Sequence, residues 1–310
     1  MTAILITGTT GLVGSCLYQY LKRNTAWDIT GVSRSPGEYV DIRTNLEERD
    51  SVQKIGNGNT FDVIVHTAAL TKTDICENRK AECTAANVDT TRNLVNVFPS
   101  ARMIFFSTYA VYNTPEGNCD ELCPVYPTNH YVATKIQAEE IVNTLDESVI
   151  LRPSVIFGYI PVIRQSKNYF MQLLENIRKH TVMRSPRDQY FNPVHIDTVI
   201  AIIHCLLEKK RRGIFNIGCN ETISKFEFNR RIMKRFQFDE SFLEGIDSRQ
   251  LQVTRPNNGT ISSRKIQAEL AFTIPPLEKM IDALYESVPK RVLTEMMHVP
   301  SGKKYPDIHV

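Results

Sequence analysis

Apolar runs of strand length alternate with segments of helical period through the first half of the chain. Ala3 to Thr7 reads as a strand, Leu12 to Arg23 as a helix and Ile29 to Val32 as a second strand. Phe61 to His66 is followed by a helix over Ala81 to Phe98, and Met103 to Ser107 by a helix over Asn129 to Leu145; Val149 to Leu151 closes the series. The strands are continuously apolar rather than alternating, which predicts a parallel sheet buried on both faces by the intervening helices. The fold class predicted is α/β, a Rossmann-type doubly wound parallel sheet.

After Pro153 the period weakens. Helices over Tyr169 to Arg178, Asp197 to Leu207 and Lys225 to Arg235 surround a strand at Ile214 to Ile217, with no Gly/Ser linker and no internal repeat. This predicts a dinucleotide-binding domain over 1–157 and a smaller C-terminal substrate-binding lobe over 158–288 that returns in places to the main sheet. Residues 289–310 read as a loosely held tail.

The 310 residues are 42% hydrophobic and 23% charged, an ordinary globular mix that excludes disordered and collagen-like classes. The formal net charge is +3, and its longest basic run, Lys209-Lys210-Arg211-Arg212, ends an apolar helical stretch. Such a run reads as a solvated helix end near the negative pole of the dipole, so no nucleic-acid partner is expected. The seven cysteines are odd in number and contain no C-x-x-C pair, which predicts neither a disulfide framework nor a metal site. The N-terminal segment is too short and uncharged for a signal peptide, and no apolar run reaches the length of a membrane span. A cytoplasmic protein without a membrane partner is expected.

Candidate chemistry begins at Thr7-Gly8-Thr9-Thr10-Gly11-Leu12-Val13-Gly14, between the first strand and the first helix. Glycines at this spacing permit a tight turn, close backbone approach to a pyrophosphate, and close helix-to-strand packing. Twenty residues past Gly14, where a carboxylate would accept from the ribose 2′-hydroxyl of NAD, the chain carries Ser33-Arg34. A guanidinium pairs with a 2′-phosphate, which predicts NADP(H). Val40-Asp41-Ile42 would let the aspartate accept from an adenine amino group, and His66-Thr67-Ala68-Ala69 supplies small residues where a cofactor must pass close to backbone. Tyr131 and Lys135 lie four residues apart on one helix face, after Ser107 and Thr108 at the end of a strand. A phenol with a pKa of about 10 becomes a workable acid or base beside an ammonium, while Thr108 can orient a carbonyl.

Together these residues resemble the extended short-chain dehydrogenase/reductases, and within them the sugar-nucleotide-binding branch typified by dTDP-4-dehydrorhamnose reductase. The likeness also runs through Thr73-Asp74-Ile75-Cys76-Glu77, Ala86 to Leu94, Leu151 to Gly158, Asp188-Gln189 before Pro193, and Arg255-Pro256-Asn257-Asn258. It implies NADPH-dependent reduction of a 4-keto sugar carried on a nucleotide diphosphate, with Thr108, Tyr131 and Lys135 as the reacting triad. By position it implies a cofactor side made of Gly8, Thr10, Gly11, Leu12, Val13, Gly14, Ser33, Arg34, Asp41, Ile42, Ala68, Ala69, Asn87, Ser107, Pro153 and Val155. Tyr131 and Lys135 also face the cofactor. Thr71, Tyr109, Asn168, Gln189 and Arg255 are the candidates for the sugar-nucleotide side. The family's dehydratases carry an acid and a base after the threonine; Tyr109-Ala110 stand there here, which argues against water elimination. Tyr109 also replaces an aspartate frequent in the rhamnose branch, so the sugar is left open. A sugar-nucleotide epimerase and a non-catalytic NADP-binding regulatory subunit are the competing readings. The resemblance further implies a homodimer through the helices Ala81–Phe98 and Asn129–Leu145.

Overall fold

The structure, a computed structural model, describes residues 2–160, 168–251 and 257–297. In chain order the first half runs β1 (Ala3–Thr7), α1 (Leu12–Asn24), β2 (Asp28–Ser33), β3 (Ile42–Arg43), α2 (Arg49–Gly56), β4 (Val63–His66), α3 (Thr73–Asn78) and α4 (Lys80–Thr84). A π-helical turn over Ala85–Asp89 leads into α5 (Thr90–Val97), then come β5 (Arg102–Phe106), α6 (His130–Val142) and β6 (Ser148–Pro153). The second half continues with β7 (Ile156–Phe157), α7 (Tyr169–Arg178), β8 (Met183–Pro186), β9 (Tyr190–Phe191), β10 (Val194–His195), α8 (Ile196–Lys209) and β11 (Gly213–Ile217). It ends with β12 (Ile223–Ser224), α9 (Lys225–Phe236), β13 (Leu243–Ile246), α10 (Arg264–Leu270), α11 (Leu277–Ser287) and α12 (Lys290–Met297).

Seven parallel strands form one sheet in the order β11-β6-β5-β4-β1-β2-β3. Their continuous apolar sequences follow from burial on both faces. Ile4, Ile6, Val65, Ile104 and Leu151 point into a core shared with α1, α8 and the C-terminal helices, while Leu5, Ile64, Met103 and Ile150 point into a second core with α2, α5 and α6. The doubly wound expectation holds. The strand read at Ile214–Ile217 joins this sheet as β11, which pairs in parallel with β6 from Gly213 opposite Val149 to Ile217 opposite Pro153.

The rest of the second half makes three short ladders, β7 with β10, β9 with β12 and β8 with β13. Its apolar side chains, Phe170, Phe191, Phe228 and Leu284 among them, belong to the same core as β1 and β6, so this lobe is packed on the sheet without a break. The expectation of a loose tail from residue 289 is corrected over Lys290–Met297, which is helical and buries Leu293. The helix expected over Ala81–Phe98 is found, running without a break from Lys80 to Val97, with a π-helical turn inside it at Ala85–Asp89, where Thr90 Oγ1 donates to Ala85 O at 3.3 Å and Thr91 Oγ1 to Asn87 O at 2.6 Å. On α6, Val132 and Val142 face the interior of the chain itself and Ile136 is half-buried. Among the described residues no helix is long and apolar enough to cross a membrane.

Candidate active site

The carboxyl ends of β1, β4, β5 and β6 open into one cleft of about 1270 Å³, where open α/β sheets place ligands. Single small-ligand pockets run to about 300–1,000 Å³, so this cleft has room for more than one small molecule. Its floor is the turn after β1. Gly8 has φ +73°, and a Cβ there would lie 2.8 Å from the Ala68 backbone; one at Gly14 would lie 2.4 Å from Gly8 O. The turn and the start of α1 therefore close only on glycine, with Gly11 as an N-cap that offers no side-chain acceptor and no acid in the first turn. The first N–H groups of a 13-residue helix are left facing the cleft mouth, an anion-seeking arrangement. Thr10 Oγ1 and Ser33 Oγ are 2.9 Å apart and join this turn to the end of β2.

Thr108, Tyr131 and Lys135 come together on the wall formed by β5 and α6. Asn129 caps α6 by accepting from Val132 N at 3.0 Å, which sets the helix start and places Tyr131 in its first turn, one turn before Lys135. Tyr131 shares this wall with Thr108, and burial pushes its pKa above the ordinary tyrosine value, against a smaller lowering influence from Thr108. Lys135 is buried, with Nζ 4.1 Å from the centre of the Phe105 ring. Burial brings its pKa down to about 7, against the opposing pull of Glu139 and Cys83.

Behind this wall His66 bridges Thr7 Oγ1 at 2.7 Å and Thr91 Oγ1 at 3.1 Å. Burial first, and the charge of Lys135 second, lower its pKa to about 3. The folded protein then binds fewer protons here than the unfolded chain between pH 3 and 6.5, so stability falls as pH drops through that window, by up to about 1.4 kcal/mol per pH unit. Guanidinium unfolding at pH 6.5 and pH 5 is expected to show a steeper loss in the native protein than in His66→Gln. Equal losses would remove His66 from the acid limb.

Of the other residues read from the sequence, Gly8, Thr10, Gly11, Leu12, Val13, Ser33, Arg34, Ala68, Ala69, Ser107, Pro153 and Val155 line the cleft, as do Thr71, Tyr109 and Asn168. Gly14 lies just behind, against Gly8. Several readings are corrected. Asp41 is turned to the fold: its carboxylate accepts from Gly31 N at 2.7 Å and from the Tyr18 hydroxyl at 3.1 Å, and neither it nor Ile42 is in the cleft wall. Asn87 is also behind the wall, where its amide holds Leu70 N at 2.8 Å, Leu70 O at 3.1 Å and Thr134 Oγ1 at 2.9 Å. It shapes the segment carrying Thr71 rather than facing the cleft. Gln189 is buried one layer back and accepts from Lys225 Nζ at 2.7 Å, so Lys225 is the member of that pair on the wall. Arg255 lies outside the described residues.

Sequence reasoning passed over Lys225 and Glu47. Lys225 was findable from Ser224-x-x-Glu227, a helix-start signal whose serine accepts from Glu227 N at 3.2 Å and fixes Lys225 in the first turn of α9. Glu47 had no motif to betray it. The seven cysteines are all free, and among the described residues no cluster of His, Cys, Asp or Glu could hold a metal ion.

A seven-stranded Rossmann-type sheet with a glycine turn at its first crossover and Thr, Tyr and Lys on one cleft wall defines an extended short-chain dehydrogenase/reductase. The sequence pattern of the RmlD substrate binding domain matches residues 1–289, and the chain belongs to that family. It is 27% identical over 274 residues to methionine adenosyltransferase 2 subunit beta of Pongo abelii, covering 85% of this chain and 81% of that protein. The fold superposes on dTDP-4-dehydrorhamnose reductase of Bacillus anthracis, solved in complex with NADP, with TM-score 0.81 at 20% identity, over 93% of this chain and 100% of that one. It also superposes on the dTDP-glucose 4,6-dehydratase DesIV of Streptomyces venezuelae, solved with NAD and TYD bound, with TM-score 0.79 at 18% identity, over 95% of this chain and 97% of that one.

Proposed function

We propose that this chain reduces a 4-keto sugar nucleotide to the 4-hydroxy sugar nucleotide with NADPH. The observation that carries the reading is the convergence of Thr108, Tyr131 and Lys135 on the cleft that the glycine turn opens. The uncapped start of α1, on a turn that closes only on glycine, fits a pyrophosphate at the helix N-terminus. Bound along the cleft, the nicotinamide supplies the hydride that goes to C4. Thr108 orients the substrate carbonyl through its hydroxyl. Tyr131 delivers its phenolic proton to the forming alkoxide, and Lys135 stabilises the phenolate left behind and holds the nicotinamide ribose. The phenol enters this step protonated, as reduction requires. A homodimer through the helices over Ala81–Phe98 and Asn129–Leu145 in a cytoplasmic setting belongs to the same proposal.

A second reading, a dinucleotide-binding regulatory subunit, is favoured by the likeness to methionine adenosyltransferase 2 subunit beta. One assay separates the readings: purified protein with NADPH and a panel of 4-keto sugar nucleotides, followed by loss of the reduced-cofactor absorbance. Turnover with one member is the expected result. Cofactor binding without turnover across the panel supports the regulatory subunit, and NAD retained through purification supports the epimerase.

A further inference from the structure

Arg34, the residue that points to a 2′-phosphate, is met in the structure by an opposing group. Arg34 Nη1 donates to Glu47 Oε1 at 3.0 Å, and both side chains stand on the cleft wall beside Ser33, Ser35 and Asn45. Glu47 is held in place there. Its N–H donates to Asn45 Oδ1 at 3.3 Å, and its carbonyl and that of Leu46 accept from Asn93 Nδ2 at 3.0 and 3.1 Å, which ties the loop to α5. The Glu47 side chain is 27% exposed, against 71% for Arg34, so the acid is the more fixed partner. Arg43 Nε donates to Arg34 O at 3.3 Å and brings a second guanidinium to the same strand end.

In dinucleotide folds an acidic residue at the end of the second strand accepts from the ribose 2′-hydroxyl of NAD, and an arginine there pairs with the 2′-phosphate of NADP; Arg34 follows that strand end, and Glu47, from the loop between β3 and α2, meets it through the ion pair. Here both groups are present and bound to each other. We propose that Glu47 is a specificity-determining residue that keeps the pocket open to both cofactors. A free 2′-hydroxyl donates to Glu47 while the ion pair with Arg34 persists. A 2′-phosphate takes Arg34 from Glu47 and remains close to that carboxylate, whose repulsion offsets part of the phosphate's attraction to Arg34. This inference rests on reading the cleft as a nicotinamide dinucleotide site and is independent of the sugar end.

The test is a nicotinamide-fluorescence titration of the full chain with NADPH and with NADH, for the native protein, Glu47→Gln, Arg34→Ala and the double variant. The native protein is expected to bind both cofactors within about tenfold of each other, and Glu47→Gln to tighten NADPH about fivefold while weakening NADH about threefold, the scale of an exposed charge contact. The gain for NADPH should shrink at high salt, because the repulsion it relieves is screened. It should shrink in the double variant by the part that comes from freeing Arg34, while the part that comes from relieved repulsion remains. An unchanged NADPH to NADH ratio in Glu47→Gln, or equal shifts for both cofactors as a loosened loop would give, overturns the proposal and leaves the dinucleotide site standing. Failure of the native protein to bind either cofactor overturns both.

Discussion

Tyr131→Phe is expected to lower kcat by about 10²–10⁴-fold while leaving NADPH affinity within about twofold, because it removes a general acid and little else. The ring stays in place on α6, whose start is fixed by Asn129 and whose first turn is further tied by Thr134 Oγ1 donating to Tyr131 O at 2.7 Å. What disappears is the phenolic hydroxyl beside Thr108 on the cleft wall. Single-turnover absorbance with an accepted 4-keto sugar nucleotide, set beside a fluorescence titration of cofactor, reads the two quantities separately. A rate equal to that of the native protein would take Tyr131 out of the mechanism. Parallel losses of rate and cofactor affinity would mean that the substitution disturbs the cleft rather than the proton transfer.

The sheet was legible because its physics is local. Ile4 to Ile6, Ile64 to Val65 and Ile104 to Phe106 are apolar without interruption, and only a strand buried on both faces tolerates that. The elements that escaped were those whose signals are weak or long-range. Helix α2 buries only Val52 and Ile55 among charged neighbours, too little for a periodic stripe to show. The π-helical turn at Ala85–Asp89 depends on hydroxyl back-bonds from Thr90 and Thr91 and on Asn87 reaching Leu70, contacts that no period in the sequence announces. Helix α11 is different: Leu277, Met280, Ile281 and Leu284 fall at helical spacing, so its pattern was in the sequence to be read.

At the candidate site, the residues fixed by short motifs come together on one cleft. The glycine turn and the Tyr131 to Lys135 spacing are each held within one turn or one helix, so sequence distance fixes spatial distance. Asp41 and Gln189 were misplaced for the opposite reason. Each sits where chain segments far apart in sequence meet, and the competing partners, Tyr18 and Gly31 N for one and Lys225 for the other, decide which way the side chain faces.

Arg152→Leu is expected to lower stability by about 3–5 kcal/mol, a large share of the total for a domain of this size. Arg152 Nε and Nη2 donate to Glu139 Oε1 and Oε2 at 3.0 and 2.6 Å, and both side chains are 5% exposed. Arg152 Nη1 also donates to the Tyr112 hydroxyl at 2.8 Å, which in turn donates to Asn216 Oδ1 at 2.9 Å, so α6, β6 and β11 are tied through one guanidinium. Removing it strands a buried carboxylate, whereas replacing both members, Arg152→Leu with Glu139→Leu, should recover most of the loss because no charge is then left without a partner. The two variants should also move Lys135 in opposite directions. Glu139 stands one turn along α6 from Lys135 and raises its pKa, so an uncompensated Glu139 raises it further and an absent Glu139 lets it fall below about 7. The pH dependence of NADPH binding should therefore shift upward in the single variant and downward in the double. Denaturant unfolding measures the first expectation. A pH profile that stays fixed in both variants would show that this ion pair holds the fold together without reaching the ammonium on the cleft wall.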